Sequence, residues 1–555
     1  MNSIPSSLLA IIHLHLTALL HWFSAEAYER QLGRAQEHFL VRLTNSFEFG
    51  PLEKACADYH HRSGAGAPPT HPVARLVRAL LVKQLFNLSL RQLEEAIQWD
   101  LRVKWFVGYA LFETGPDHAT LARFEEWVMA HHQRTFFDEV LAQIDRAFPE
   151  EREKAQMGDT YAMQANAATE SLSGLLRHTC QLLLNALAEV DQDAFARVKS
   201  QLNLEALFGT EDEVKEFRLE RAQRKERLQQ TAIAALHCHA AVQTCLAQRS
   251  DLAPHQCRMV AKRLDILAKI LADELTFDFD EQGQVTGAHE LPKKKKGSYR
   301  IASAADPDAT YRVHGERIDF GFNISVAATD TFIRESQADT GSQPDAVAIP
   351  DLLTAQQEYH DLAPAKFIYD QAAGTGKSHA DVDKATNGQT QLVAPLANRR
   401  QEGERFDPDD FTLQPDGQAL VCPNNVVSTI AYRSQSAQGR SFRFSAQQCA
   451  GCPLVEACRG DKVSEKNMRQ VFISDHRSAL AKARTYAQTP EFKEDLKLRS
   501  TIERHIANLV RYHGGRRARR RGLDACDYQA KMNAMAFNLR QWMRKLDRQS
   551  AVASP

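Results

Sequence analysis

The order of strand-like and helix-like segments between residues 318 and 369 constrains the fold of this chain most strongly. Residues 318–328 (IDFGFNISVAA) and 332–340 (FIRESQADT) predict two neighbouring strands. Residues 344–359 predict a helix, and residues 365–369 predict a further strand. Strands followed by a helix and another strand are typical of an α/β layer.

Helical patterns surround this layer. Residues 26–148 predict an all-α region, where residues 73–86 repeat apolar side chains at helical spacing and Ser89 can cap a helix over Leu90–Trp99. These two helices fit either a helix-turn-helix or a plain bundle. Residues 156–168 predict a short strand that carries Asp159. Residues 170–275 and 478–547 are predicted to be helical, with an exposed helix or coiled hairpin over the charged segment 211–227.

The length of the chain limits the number of domains, and its charge limits the possible partners. A chain of 555 residues exceeds one ordinary core, which predicts two to four domains. The formal net charge of −1 predicts no polyanion partner by itself. Two local basic runs, residues 293–296 and 516–521, fit phosphate contacts better, although a solvated basic loop fits them as well.

The first 25 residues contain no charged side chain, and residues 8–23 are largely apolar. A basic n-region and a clear cleavage site are absent, and His13, His15 and His21 interrupt the apolar stretch. We therefore expect a core or packing helix there and no membrane span. The protein is expected to be cytoplasmic.

The stretch FIYDQAAGTGKSH (367–379) supports two incompatible interpretations. Its second half resembles a phosphate-binding loop, but the spacing G-x-x-x-x-G-K-[ST] needs a glycine where Gln371 stands. That glycine makes the turn which wraps backbone N–H groups around phosphates. The alternative is that Asp370, at the end of a strand, is a metal-binding carboxylate.

Metal-dependent phosphoryl transfer needs two or three converging carboxylates around ions about 4 Å apart. Asp159 and Glu503 are the candidate partners of Asp370. Glu503 accompanies an apolar helical face formed by Leu498, Ile502, Ile506 and Leu509. Each acid alone is more simply a surface residue, so only the ensemble indicates a site.

Four of the ten cysteines cluster in the sequence: Cys422, Cys449, Cys452 and Cys458. The C-x2-C pair can place two sulfurs on one edge of a tetrahedron, which favours a four-thiolate zinc site. Unliganded thiols are the alternative, and an iron–sulfur cluster is a weaker one.

In several separate segments that include these acids, the chain resembles bacterial insertion-sequence transposases of the DDE type. Residues 71–124 look like the helical domain that precedes their core. GDTYAMQANAA (158–168) is similar to the segment of the first aspartate, and residues 306–309 and 321–329 look like the next strands. Residues 368–396 resemble the segment of the second aspartate, and residues 499–541 the helix of the third acid with its basic continuation.

The resemblance assigns Asp159, Asp370 and Glu503 to the catalytic triad, and Arg499 to the arginine four residues before the glutamate. Two positions depart from the Tyr, Arg, Glu and Lys signature of this branch, because Leu496 and Val510 stand at the Tyr and Lys positions, with Arg511 adjacent. Ala372 and Ala373 replace a common Gly-Tyr. These departures leave the triad intact and alter the contacts expected with the cleaved strand.

The resemblance implies an α/β fold with an RNase-H-like catalytic core, a mixed sheet with flanking helices. The expected parts are an N-terminal all-α DNA-binding domain (1–148), the first core strand (149–169), a helical insertion (170–290), the rest of the sheet (291–400), a small Cys-rich zinc-type insertion (401–470) and C-terminal helices (471–548). The expected cofactors are two Mg²⁺ or Mn²⁺ ions and a structural Zn²⁺ held by cysteines like those of this branch.

The implied activity is cleavage at the ends of an insertion sequence and strand transfer to target DNA. The partners expected are terminal inverted repeats, target DNA and at least a second copy of the chain in the synaptic complex. The expected DNA-binding residues are Arg499, Arg511, Arg516, Arg517, Arg519, Arg520 and Arg521. The alternatives are a catalytically degenerate DNA-binding derivative, a nuclease of the same fold and a P-loop NTPase.

Overall fold

A computed structural model describes residues 6–32, 35–60, 70–248, 254–297, 299–396, 406–435, 438–459 and 469–553 of the chain. Its first region is helical, as predicted. The helices are α1 (Ser6–Leu32), α2 (Phe39–Ser46), α3 (Gly50–Ala55), α4 (Val73–Leu85), α5 (Leu90–Trp99), α6 (Leu101–Val107), α7 (His118–His131) and α8 (Thr135–Ala147).

Local sequence explains the turn between α4 and α5. Ser89 and Gln92 form a capping box, in which each side chain accepts a hydrogen bond from the backbone N–H of the other residue. Helix α5 therefore begins at Leu90, as the sequence predicts.

Helix α1 is present, but it does not bury its apolar residues as the sequence suggested. Leu16, Leu19, Trp22 and Phe23 are each at least half exposed. The prediction of a core helix is therefore wrong for these four residues. No helix in the described ranges is long and apolar enough to cross a membrane.

The first strand, β1 (Gln156–Gln164), leads into a helical segment with a core of its own. Its helices are α9 (Leu172–Val190), α10 (Gln192–Ser200), α11 (Leu204–Phe208), α12 (Arg221–Ala247) and α13 (Pro254–Glu274). The segment then ends in an antiparallel hairpin, β2 (Leu275–Phe279) and β3 (Val285–Glu290), which the sequence analysis missed. Helix α12 begins only at Arg221, so the charged segment 211–227 is not one continuous helix.

The main sheet is completed by five strands and two helices. These are β4 (Thr310–His314), β5 (Arg317–Ala328), β6 (Ile333–Thr340), α14 (Ile349–His360), β7 (Lys366–Ile368), α15 (Gly376–Ala385) and β8 (Gln391–Val393). The strand order is β6-β5-β1-β7-β8, and β4 pairs with the first part of β5. Strands β6, β5 and β1 are antiparallel, whereas β1, β7 and β8 are parallel. The predicted mixed sheet is confirmed.

The cysteine-containing region forms two small three-stranded sheets. Its elements are β9 (Thr412–Leu413), β10 (Leu420–Val421), β11 (Val427–Ser428), β12 (Ala431–Ser434), β13 (Gly439–Phe444), α16 (Ala446–Cys449), α17 (Val455–Arg459) and β14 (Arg469–Ser474). Strand β14 joins β12 and β13, and apolar residues of these strands form a separate small core.

The chain ends in α18 (Arg477–Ala487), α19 (Pro490–Leu498), α20 (Ser500–Tyr512) and α21 (Leu523–Ala553). Helix α21 is the centre of the packing. Its residues Met535, Phe537 and Trp542 are buried in one apolar cluster with the N-terminal helices and the sheet. The helical region, the sheet and the C-terminus therefore share one core.

Candidate active site

Asp159 and Asp370 lie on neighbouring parallel strands. Gln156 pairs with Phe367 and Met157 with Ile368, so the same register continued by two residues sets Asp159 beside Asp370. Asp159 accepts a hydrogen bond from the Thr160 N–H at 2.7 Å. Asp370 follows the end of β7 and accepts one from the Ala372 N–H at 2.9 Å. The sheet thus brings two of the three predicted acids together.

The electrostatic environment of Asp159 and Asp370 favours a cation nearby. Burial raises the pKa of the Asp159 carboxyl, and the negative charges of Asp370 and Asp345 raise it further. The Thr160 N–H and the Arg499 guanidinium act in the opposite direction, with smaller effects than burial. A cation near these carboxylates would relieve the repulsion between them.

Gly158 leaves room for aromatic side chains in and directly after β7. A Cβ atom at this position would lie 2.5 Å from Cζ of Phe367 and 2.8 Å from Cδ2 of Tyr369. Both aromatic side chains are buried and stack on each other. The small residue before Asp159 therefore allows these two rings to pack over β1.

Glu503 lies in the first turn of α20, which packs against β1 through the buried Ile502 and Leu509. The side chain of Glu503 is 61% exposed, and its Oε1 lies 3.8 Å from Nη2 of Arg499. The Arg499 guanidinium therefore lies beside Glu503 and also acts on the charge of Asp159. Leu498, which was predicted to join the apolar face, ends the preceding helix and is 38% exposed, so that part of the prediction is wrong.

In the described ranges, no three His, Cys, Asp or Glu side chains are grouped closely enough to hold a metal ion. Asp159 and Asp370 are adjacent, whereas Glu503 points toward solvent beside Arg499. The structure accordingly does not complete the predicted three-acid group.

Asp345 is a further acid of this site, and the sequence analysis missed it. Its carboxylate accepts hydrogen bonds from Nδ2 of Asn323 at 2.8 Å and from Nη2 of Arg312 at 3.2 Å. The same Arg312 nitrogen donates to Oγ1 of Thr160 at 2.8 Å. The available signal was an aspartate directly after Pro344, at the start of the predicted helix.

The segment after Asp370 does not form a phosphate-binding loop. Thr375 caps α15, so Gly376 and Lys377 begin a helix, and Lys377 pairs with Asp381. A Cβ at Gly374 would lie 2.1 Å from the Pro395 carbonyl oxygen. The glycine is required for close packing against the backbone after β8.

The arginine segment (516–521) is attached to the end of β1. The Gln164 N–H donates to the Arg516 carbonyl at 3.0 Å, and the Ala518 N–H donates to the Gln164 carbonyl at 2.8 Å. Arg511, Arg516, Arg517 and Arg521 are exposed, whereas Arg519 and Arg520 are partly buried. Arg520 pairs with Glu126 at 2.9 Å, so the six predicted contact arginines of the C-terminal region are not equivalent.

The four clustered cysteines line one cavity of about 30 Å³. Burial raises the pKa of the Cys449 and Cys458 thiols, and the Arg469 guanidinium acts against it. The sequentially distant Cys422 joins the others through the β10–β11 turn, where its Sγ accepts a hydrogen bond from the Val426 N–H at 3.4 Å.

Comparison with known protein families gives two matches. Residues 28–127 match a "Transposase domain (DUF772)", and residues 421–543 match a "Transposase DDE domain". The second match contains Glu503, the arginine segment and the four cysteines, whereas Asp159 and Asp370 lie outside it. Comparisons with curated proteins and with solved structures give no match. The two family matches, together with the mixed sheet and its paired acids, indicate that the protein is an insertion-sequence DDE transposase.

Proposed function

We propose that this transposase binds the ends of an insertion sequence and catalyses Mg²⁺-dependent strand cleavage and strand transfer. The observation that carries the proposal is the parallel pairing of β1 and β7, which sets Asp159 beside Asp370 with Arg499 in their field. Helix α20 adds Glu503 at the same end of β1.

An RNase-H-like core is the fold that we infer for the sheet. Three antiparallel strands, β6, β5 and β1, continue into the parallel strands β7 and β8. Helix α14 connects β6 to β7, α15 connects β7 to β8, and the third acid lies on a later helix. The six-part domain division given above remains part of this proposal.

Asp159, Asp370 and Glu503 are the residues that would hold the divalent ions. Their oxygen donors suit Mg²⁺ or Mn²⁺, and a cation would offset both the burial and the neighbouring negative charges that raise the Asp159 pKa. Bound ions would supply activation of a water or 3′-hydroxyl nucleophile and stabilisation of the leaving oxygen. Glu503 is exposed at the start of its helix, so it would have to move to join the two aspartates.

The protein's own groups would position DNA. Arg499 lies 3.8 Å from Glu503 and acts on the charge of Asp159, so it would contact a phosphate bound at these acids, and Arg511 lies at the exposed end of α20. The exposed members of the arginine segment supply charge for the DNA backbone, which is the main source of nonspecific affinity. Positioning and electrostatic stabilisation then suffice without a covalent intermediate.

Zn²⁺ bound by Cys422, Cys449, Cys452 and Cys458 is the second part of the proposal. It is supported by the four cysteines lining one cavity, the size of which is close to one water molecule, and their sulfur atoms would have to move closer together to hold the ion. A tetrahedral thiolate site would tie the two small sheets together around a core with few apolar residues.

A catalytically degenerate DNA-binding protein is the alternative function, favoured by the departures at Leu496 and Val510. The test uses full-length protein and DNA carrying the inverted repeats that flank its gene. We expect Mg²⁺-dependent cuts at the repeat ends, abolished in Asp370→Asn while repeat binding is retained. Binding without cleavage by the wild type would favour the degenerate protein, and cleavage by Asp370→Asn would refute the assigned site. We also expect at least two copies in the complex that pairs two ends.

A further inference from the structure

A cavity of about 630 Å³ lies between the N-terminal helices and the arginine segment, away from the three acids. The turn between α4 and α5 forms one wall, with Asn87 and Ser89. Arg517 and Arg519 form another, and Tyr528 of α21 contributes to a third. The cavity thus lies where three regions distant in the sequence meet.

The cavity has an excess of positive charge. Lys83, Arg517, Arg519 and Arg520 line it, whereas Glu125 is the one carboxylate among its lining residues. Glu125 is already paired with Lys83 at 2.6 Å, and both side chains are buried. Arg520 pairs with Glu126 at 2.9 Å, so Arg517, which is exposed, and Arg519, which is partly buried, supply the positive charge that remains.

Arg519 is the least compensated of these cations. One end of its guanidinium donates to Oδ1 of Asn87, a neutral amide, and its buried Nη1 has no hydrogen-bond partner. Burial lowers the pKa of this guanidinium, and the charge of Glu125 compensates only in part. A buried donor without an acceptor is destabilising, and an anionic ligand would satisfy it.

Tyr528 gives an independent indication of a ligand. Its side chain is almost fully buried at 3% exposure, yet its hydroxyl has no hydrogen-bond partner. The positive end of the ten-residue helix α5 opens at the same turn, through Ser89 and Leu90. A guanidinium, a phenol and a helix N-terminus together match the acceptors of a phosphate group.

The backbone around the cavity is fixed before any ligand binds. Oε1 of Gln529 accepts a hydrogen bond from the Arg519 N–H at 2.8 Å, and its Nε2 donates to the Arg517 and Gly514 carbonyls at 2.9 and 3.0 Å. Asn166 donates to the Arg519 carbonyl at 3.0 Å. The preformed arrangement reduces the ordering cost of binding.

We propose that this cavity is a phosphate-binding site, built from Arg519, Tyr528 and the α4–α5 turn. Under the proposed function, on which this source of the ligand rests, the phosphate belongs to the DNA backbone. The site then fixes the DNA against both the N-terminal helices and the end of β1. A free phosphate or nucleotide would offer the same chemistry.

The test measures binding of inorganic phosphate to the full-length protein by calorimetry at constant ionic strength, with chloride as the compensating anion. We expect saturable binding that weakens about tenfold or more in Arg519→Gln and about fivefold in Tyr528→Phe. Arg123→Gln is the matched control, because Arg123 is an exposed arginine of nearby α7 that contacts Thr120 and does not line the cavity. Circular dichroism checks that each variant is folded.

Absence of saturable phosphate binding, or equal weakening in Arg519→Gln and Arg123→Gln, would overturn the proposal. Tyr528→Phe removes one oxygen only, so it keeps the test valid if Arg519→Gln does not fold. Competition between phosphate and a DNA duplex then identifies the source: displacement supports a backbone phosphate, and independent binding supports a free ligand. Phosphate binding does not require DNA cleavage, so failure of the proposed function would be seen separately.

Discussion

Replacing Gly158 by alanine should uncouple catalysis from folding more clearly than any change to the acids themselves. The new Cβ would lie 2.5 Å from Cζ of Phe367, whereas carbon atoms pack at about 3.5 Å or more. The difference is about 1 Å. Phe367 is fully buried and cannot swing into solvent, so its ring or the β1 backbone must shift by roughly that distance. A shift of β1 would displace Asp159 relative to Asp370.

Two magnitudes follow. Overpacking of this kind costs about 1–3 kcal/mol of unfolding free energy, and a misplacement of about 1 Å in a catalytic arrangement costs about 100-fold in rate. We therefore expect Gly158→Ala to remain folded and to cleave repeat-end DNA about 100-fold more slowly in single-turnover assays. Gly50→Ala is the control, because a Cβ there meets no atom within 4 Å.

A second substitution tests the physical reason. Leucine at position 367 lacks the ring atoms that the new Cβ would meet, so Phe367→Leu in the Gly158→Ala background should recover part of the cleavage rate. A wild-type cleavage rate in Gly158→Ala would refute the argument that the close packing of Gly158 against Phe367 fixes the position of Asp159. Equal loss with and without Phe367→Leu would show that the effect does not pass through this contact.

Three further predictions concern charge and metal. Burial and two neighbouring acids raise the pKa of Asp339 from 3.8 to about 6. The folded state therefore holds this proton more tightly and gains stability as the pH falls from about 6 to about 4, so Asp339→Asn should raise the unfolding free energy at pH 7.5 and flatten its pH dependence. Unchanged denaturation curves would contradict this. Arg499→Gln removes a cation that lowers the Asp159 pKa, so the acidic limb of the cleavage rate should move to higher pH, whereas Arg504→Gln, one helical turn on, should leave it in place. Reduced protein should contain about one equivalent of zinc by metal analysis and Cys452→Ser clearly less; under half an equivalent in the wild type would argue against the site.

Local rules explain which elements the sequence could predict. Helix α5 was predictable because Ser89 supplies a cap whose chemistry is complete within four residues. Strand β5 was predictable because its apolar run is long enough to exclude a loop. The hairpin of β2 and β3 was missed because its strands are short and mostly exposed, so they lack the alternating apolar pattern of a half-buried sheet.

The candidate site was predictable only in part, because only some of its residues have a signal in the local sequence. Asp159 and Asp370 have recognisable local surroundings, and the parallel register of their strands follows from the fold. Asp345 has only the local signal of its place after Pro344, and its role depends on Arg312 and Asn323 from two other strands. The distinction between the exposed Arg517 and the partly buried Arg519 depends likewise on contacts with Asn87 and Gln529, which no run of arginines reveals.

The central claim is that Asp159 and Asp370 together hold a divalent cation, and binding of Mn²⁺ in place of Mg²⁺ tests it most directly. Electron paramagnetic resonance of free Mn²⁺ in a titration of the full-length protein measures that binding without any DNA substrate. Asp159→Asn and Asp370→Asn should each lose the tight Mn²⁺ site, whereas Asp381→Asn, which removes an acid of α15 paired with Lys377, should keep it. Equal Mn²⁺ binding by the wild type and both aspartate variants would contradict the account.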